Sequence, residues 1–175
     1  MKSDPNFYVQ FGKYFGDSLK YIGNQKEVNI IVEEFLRDDK PIDVRIGGCL
    51  AVGIKYFGKG DINCINLLRP LLFFDDDFVK SSACLSLGFG FLGTCNETVV
   101  EILSCIIKEE ISVDVRKSAI LGLGLVNLGA GSEDFIRIIF PLLKDPNWRI
   151  RAVAGLSLSF GCMGHGEKLF DKLDH

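Results

Sequence analysis

The sequence predicts an all-α fold in which helix-turn-helix repeats of about 35 residues stack as an α-solenoid. Three observations carry that expectation. A basic residue preceded by Val or Ile recurs as Arg45, Lys80, Arg116 and Arg151, at spacings of 35, 36 and 35 residues. Thirteen places after each stands a glycine: Gly58, Gly93, Gly129 and Gly164. Small residues fill fixed columns between them, with Gly48, Ala83, Ala119 and Ala154 three places after the basic residue and Gly53, Gly88, Gly124 and Ser159 eight places after it. Self-similarity at a fixed period of roughly 20–50 residues marks stacked repeats, in which no single unit can bury its own apolar face.

Five units follow in order, approximately 5–40, 41–75, 76–110, 111–145 and 146–175. The first is degenerate but in phase: Gly23 falls in the glycine column, and Gln10 takes the basic place. In the units that follow, Asp43 or Asp114 just before the anchor is expected to accept hydrogen bonds from the free N–H groups that open a helix. That first helix is expected to run to the column glycine. A turn then ends on Gly60, Cys95, Gly131 or Gly166, two places beyond the glycine. A second helix is expected over 62–73, 98–107 and 135–143, where apolar residues return at helical spacing. Pro70 and Pro141 share a column near its end, where a lost N–H and a bend are tolerable. The fifth unit stops inside its second helix. Glycines within the first helices, at Gly53, Gly88, Gly122 and Gly124, each cost about 1 kcal/mol against alanine. Close helix approach offsets that cost if the small residues face one another. No Ser/Gly-rich linker interrupts the chain, so residues 1–175 read as one repeat domain.

Composition narrows the function. A formal charge of −3 with no clustered Lys/Arg face excludes nucleic acid as the expected partner. No charge-free apolar run approaches the roughly 18–20 residues that cross a bilayer, and residues 1–10 lack a secretory pattern, so a soluble intracellular protein without membrane contact is expected. The six cysteines form no CxxC pair and only two histidines are present, which leaves no metal site and calls for no cofactor.

Short strings that spell chemistry dissolve into the repeat. The run from Gly88 to Gly93 reads G-x-G-x-x-G, but it ends a helix where the dinucleotide fingerprint needs a strand before it and a helix after. The stretch around Ser157 resembles a nucleophile elbow but lacks its closing glycine, and Ser157 shares a column with Ala51, Ser86 and Gly122. No enzyme is expected. Cys49 and Cys84 share a column with Ile120 and Gly155, which argues for a buried small apolar position. Trp148, before the fifth unit, reads as a cap on the apolar edge, with a partner anchor as the other reading. Acidic residues gather at unit junctions and on second helices, including Asp75, Asp76 and Asp77 and then Glu97, Glu101, Glu109 and Glu110. They form either a solvated face or a strip for a basic partner.

A basic residue after Asp-Val, small residues through the first helix and the strings Leu85–Asn96 and Leu121–Gly131 resemble proteasome/cyclosome repeats, and the likeness covers nearly the whole chain. It is most similar to the large non-ATPase scaffold subunit of the proteasome regulatory particle that receives ubiquitin and shuttle factors. The sister scaffold of the same particle, the repeat scaffold of the anaphase-promoting ligase and a generic HEAT-like adaptor are the alternatives. The resemblance implies a non-catalytic platform, cytoplasmic and nuclear, closing into an α-helical toroid on the ATPase ring. It further implies that ubiquitin or ubiquitin-like shuttle domains dock after Asn96. Glu97 occupies a position where that family has an acidic contact, while the next two such positions fall on Ser104 and Lys108. Glu101, Glu109 and Glu110 supply acid from adjacent turns.

Overall fold

The computed structural model describes residues 12, 16, 36, 37 and 39–167. Gly23, most of the first unit and residues 168–175 lie outside them. The described residues hold seven complete α-helices after Pro41: α1 (Ile42–Lys55), α2 (Ile62–Leu68), α3 (Asp77–Gly90), α4 (Glu97–Glu109), α5 (Val113–Val126), α6 (Glu133–Ile139) and α7 (Trp148–Gly161). No strand occurs among the described residues. The odd-numbered first helices start at 42, 77, 113 and 148, which reproduces the spacing of the basic column.

Two second helices change character where the sequence places proline. α2 passes into a 3-10 segment, Arg69–Phe73, and α6 into another, Phe140–Lys144, each with its proline in the first turn. A proline has no N–H to give the preceding turn, so the α-helix stops there. The matching residue in the third unit is Cys105, and α4 runs unbroken for 13 residues.

The helix starts differ from the reading of the sequence. α1 follows Pro41 and α5 follows Ser112, neither with a side-chain cap, and Asp43 and Asp114 lie inside the first turn. There they place negative charge at the positive end of the helix dipole and do not cap it. Side-chain caps come from Asp61, Asp76, Asn96, Ser132 and Asn147, the last residue before each of the other five helices. The first helices also end three residues short of the column glycine. Trp148 is the first residue of α7 and is mostly exposed, so it covers no apolar edge.

The first helices pack directly on one another, while each second helix lies chiefly against the first helix of the following unit. Glycine makes the first contact possible. A Cβ on Gly53 would stand 2.9 Å from Ser86 Cα, one on Gly88 2.6 Å from Gly122 Cα, and one on Gly124 2.9 Å from Ser157 Cα. Column eight of one unit therefore presses on column six of the next, backbone to backbone. Ser157 adds a hydroxyl bond to the Ile120 carbonyl at 2.8 Å, which gives its column a structural use and leaves it no nucleophilic one. Between the layers lies a continuous core in which Leu68, Leu87, Phe91, Leu103, Leu123, Phe135 and Ile150 are almost fully buried. Each such side chain contributes about 1.5–3 kcal/mol by leaving water.

Backbone amides reinforce the stack. Gly58, Gly93, Gly129 and Gly164 all adopt left-handed φ, between 63° and 80°. That conformation aims the amide of the turn at the following unit. Gly58 donates to Phe89 O, Gly93 to Leu125 O and Gly129 to Phe160 O; two residues on, Gly60 donates to Gly90 O, Cys95 to Val126 O and Gly131 to Gly161 O. A helix leaves its last carbonyls without internal partners, and here each turn satisfies those of the next unit. Cys95 holds φ 51° where its column otherwise has glycine. An L-residue pays about 1–2 kcal/mol there, partly recovered because glycine is freer when unfolded. Cys95→Gly is therefore expected to stabilise the chain by roughly 0.5–1 kcal/mol, read as a raised urea midpoint. A lowered midpoint would show that the thiol makes a contact the geometry does not reveal.

Candidate functional site

α4 is the element that the resemblance singles out, and its sequence separates two faces. Val99, Leu103 and Ile107 recur every four residues and are buried. The opposite stripe, Glu97, Glu101, Cys105, Lys108 and Glu109, is exposed. Asn96 fixes the start by accepting from the Val99 amide at 3.1 Å. Glu97 and Glu101 are one turn apart, and Glu109 lies two turns beyond Glu101. None of the three makes an ion pair among the described residues. Ser104 faces the core, so it cannot serve as a partner contact, whereas Lys108 is exposed.

Glu110 stands apart from the others. One carboxylate oxygen accepts from the Ile111 and Ser112 amides, and the other from Lys80 Nζ at 3.1 Å. The Ser112 amide first, and then Lys80, hold its carboxyl below the usual range. Glu110 thus ties the end of its unit to the start of the same unit. The next unit repeats the arrangement, with Arg116 at 3.0 Å from Asp145. Asp145 is also held low, chiefly by the Asn147 amide that it accepts from. In the second unit the guanidinium of Arg45, almost fully buried, stacks 4.1 Å from the Phe74 ring centroid.

Three of the four members of the basic column are therefore clamps that reach 29 or 30 residues forward: Arg45 to Phe74, Lys80 to Glu110 and Arg116 to Asp145. Three members of the column, Arg45, Arg116 and Arg151, reach backward. Arg45 donates to Lys40 O, Arg116 to Ile107 O, and Arg151 to the carbonyls of Asp145 and Pro146. These partners escape a reading of the sequence because a period identifies a column but not what it touches. The one available signal was the acid at the close of units three and four, Glu110 and Asp145.

Cys49, Cys64 and Cys84 are buried, and burial pushes their thiols up to about 12, which removes thiolate reactivity at neutral pH. Among the described residues no group of His, Cys, Asp and Glu could hold a metal ion, and no helix is long and apolar enough to cross a membrane.

No family model matches the chain. Curated relatives do. It is 27% identical over 152 residues to the 26S proteasome regulatory subunit RPN2 of Candida glabrata, and 30% identical over 137 residues to the 26S proteasome non-ATPase regulatory subunit 1 homolog B of Arabidopsis thaliana. Over 165 residues it is 28% identical to RPN2 of Encephalitozoon cuniculi. These alignments cover 86%, 77% and 91% of the chain but only 16%, 13% and 19% of the relatives' own length. The names specify regulatory subunits of the proteasome and say nothing of ubiquitin or shuttle factors. Repeat phase, helical stacking and these relatives together place the chain among the proteasome/cyclosome-repeat scaffolds of the proteasome regulatory subunits.

Proposed function

We propose that the chain is a non-catalytic scaffold segment of the proteasome regulatory particle, acting in cytoplasm and nucleus as one repeat domain over 1–175. It contacts other regulatory subunits and the ATPase ring, and it docks ubiquitin or the ubiquitin-like domain of a shuttle factor on the outward face of α4. The observation that carries the receptor reading is the exposure of Glu97, Glu101 and Glu109 without ion-pair partners on one rigid helix. Unpaired carboxylates held on a fixed element attract a basic partner surface and set its orientation with little cost in ordering. Glu110, already clamped to Lys80, contributes to the rigidity of that helix end more than to contact.

The test is an NMR titration of the labelled chain with ubiquitin and, separately, with a shuttle-factor ubiquitin-like domain. Saturable shifts over 97–110 that vanish in the Glu97→Arg, Glu101→Arg double variant are expected. No shifts at partner concentrations on the order of 1 mM would remove the receptor reading and leave the scaffold one standing.

A further inference from the structure

Because the second helices rest on the first-helix layer and not on one another, the spaces between consecutive second helices stay open. One such space is a groove of about 630 Å³ between the 3-10 segment Arg69–Phe73 and α4. Leu72, Ile102 and Ile106 line it, and at its rim Phe73 and Ile111 are 80% and 94% exposed. Its walls are not equivalent electrically. The α4 wall presents Glu101 and Glu109, two turns or about 12 Å apart, while the facing wall presents the exposed Arg69.

A second groove lies on the other side of α2. It measures about 810 Å³ and is lined by Arg37 and Asp39 and by Asn66, Leu67, Pro70 and Leu71, the last four in the same columns as Glu101, Ile102, Cys105 and Ile106. Where one groove has the Glu101 carboxylate, the other has the neutral amide of Asn66. The apolar columns recur and the charges beside them differ: Arg37 and Asp39 pair with each other at 3.3 Å beside the second groove, whereas Glu101 and Glu109 have no ion-pair partner among the described residues.

We propose that the groove between Arg69–Phe73 and α4 receives an amphipathic helix of a partner protein, with an apolar strip toward Ile102 and Ile106, basic residues two turns apart toward Glu101 and Glu109, and an acidic residue toward Arg69. A helix suits the site better than a strand, because both walls are helices whose backbone groups are spent internally and offer no ladder to extend. The groove is also open along one side, which suits a side-chain strip and not an enclosed small molecule. This inference does not rest on the ubiquitin reading: Glu101 and Glu109 enter both, but the groove's apolar strip at Ile102 and Ile106 belongs to this one alone.

The experiment titrates the full chain with two stapled helical peptides that share one leucine strip. One carries Lys at two positions seven apart on the flank that faces α4, and the other carries Glu there. The Lys peptide is expected to bind at least tenfold more tightly and to shift the methyl resonances of Ile102 and Ile106. Glu101→Lys with Glu109→Lys, both at exposed positions, is expected to invert the preference. Glu97→Arg, outside the groove, leaves peptide binding unchanged, and the ubiquitin titration is read on its own, so the two readings fail separately. Equal affinity for the two peptides, binding without shifts at Ile102 and Ile106, no inversion, or no binding at all would each overturn the proposal.

Discussion

Replacing Gly88 by alanine is expected to destabilise the chain by about 3 kcal/mol, although alanine is the better helix former by about 1 kcal/mol. The new methyl would stand 2.6 Å from Gly122 Cα and 3.0 Å from Gly122 O. Both are backbone atoms in α5, so no rotamer change relieves the clash, and α3 and α5 must separate. Separation also strains the amide contacts from the 93–95 turn to Leu125 and Val126. In a chain of this size the loss corresponds to a fall of about 10 °C in the thermal midpoint. Gly155→Ala is the control: its Cβ would meet only Leu143 Cδ2 at 4.0 Å, and it is expected to gain up to about 1 kcal/mol. Equal, small effects at both positions would show that close helix approach is not what these glycines provide.

Phe135→Ala is expected to cost about 4 kcal/mol, the range for removing a fully buried ring. The ring lies over Gly161, where an added Cβ would fall 2.1 Å from Phe135 Cε1. The same two columns in the earlier units hold Cys64 with Gly90, and Val99 with Val126, so volume is shared differently at each level of the stack. Gly161→Ala alone is expected to cost about 2 kcal/mol by overpacking. Combined with Phe135→Leu, it should cost less than the two single changes together, with a coupling of at least about 1 kcal/mol. Strict additivity in urea unfolding would refute the pairing.

The order and phase of the helices were legible because four copies of each position had to agree. Gly58, Gly93, Gly129 and Gly164 could be aligned without any knowledge of their φ angles. The caps were less legible: Asp43 and Asp114 stand beside the anchor and look like caps, but the chain enters its helices one or two residues earlier. The clamps were not legible, since Lys80 and Glu110 are 30 residues apart and nothing local links them. For the proposed docking face, the apolar period 99, 103, 107 was enough to turn Glu97, Glu101 and Glu109 outward. It could not show that Glu110, one step past the helix end, is already engaged. The groove beside α4 was hidden for a different reason, because its width is set by the first-helix layer beneath it.

The amide contacts between units all run in one direction, from the turn of the earlier unit to the helix end of the later one. Any stack of such units is therefore chemically polar: one extremity presents bare carbonyls, the other bare N–H groups. Two stacks can extend each other only head to tail, in a heterologous joint that either closes on itself or propagates. A face-to-face, twofold pairing of like ends would bring donor against donor at one extremity and acceptor against acceptor at the other.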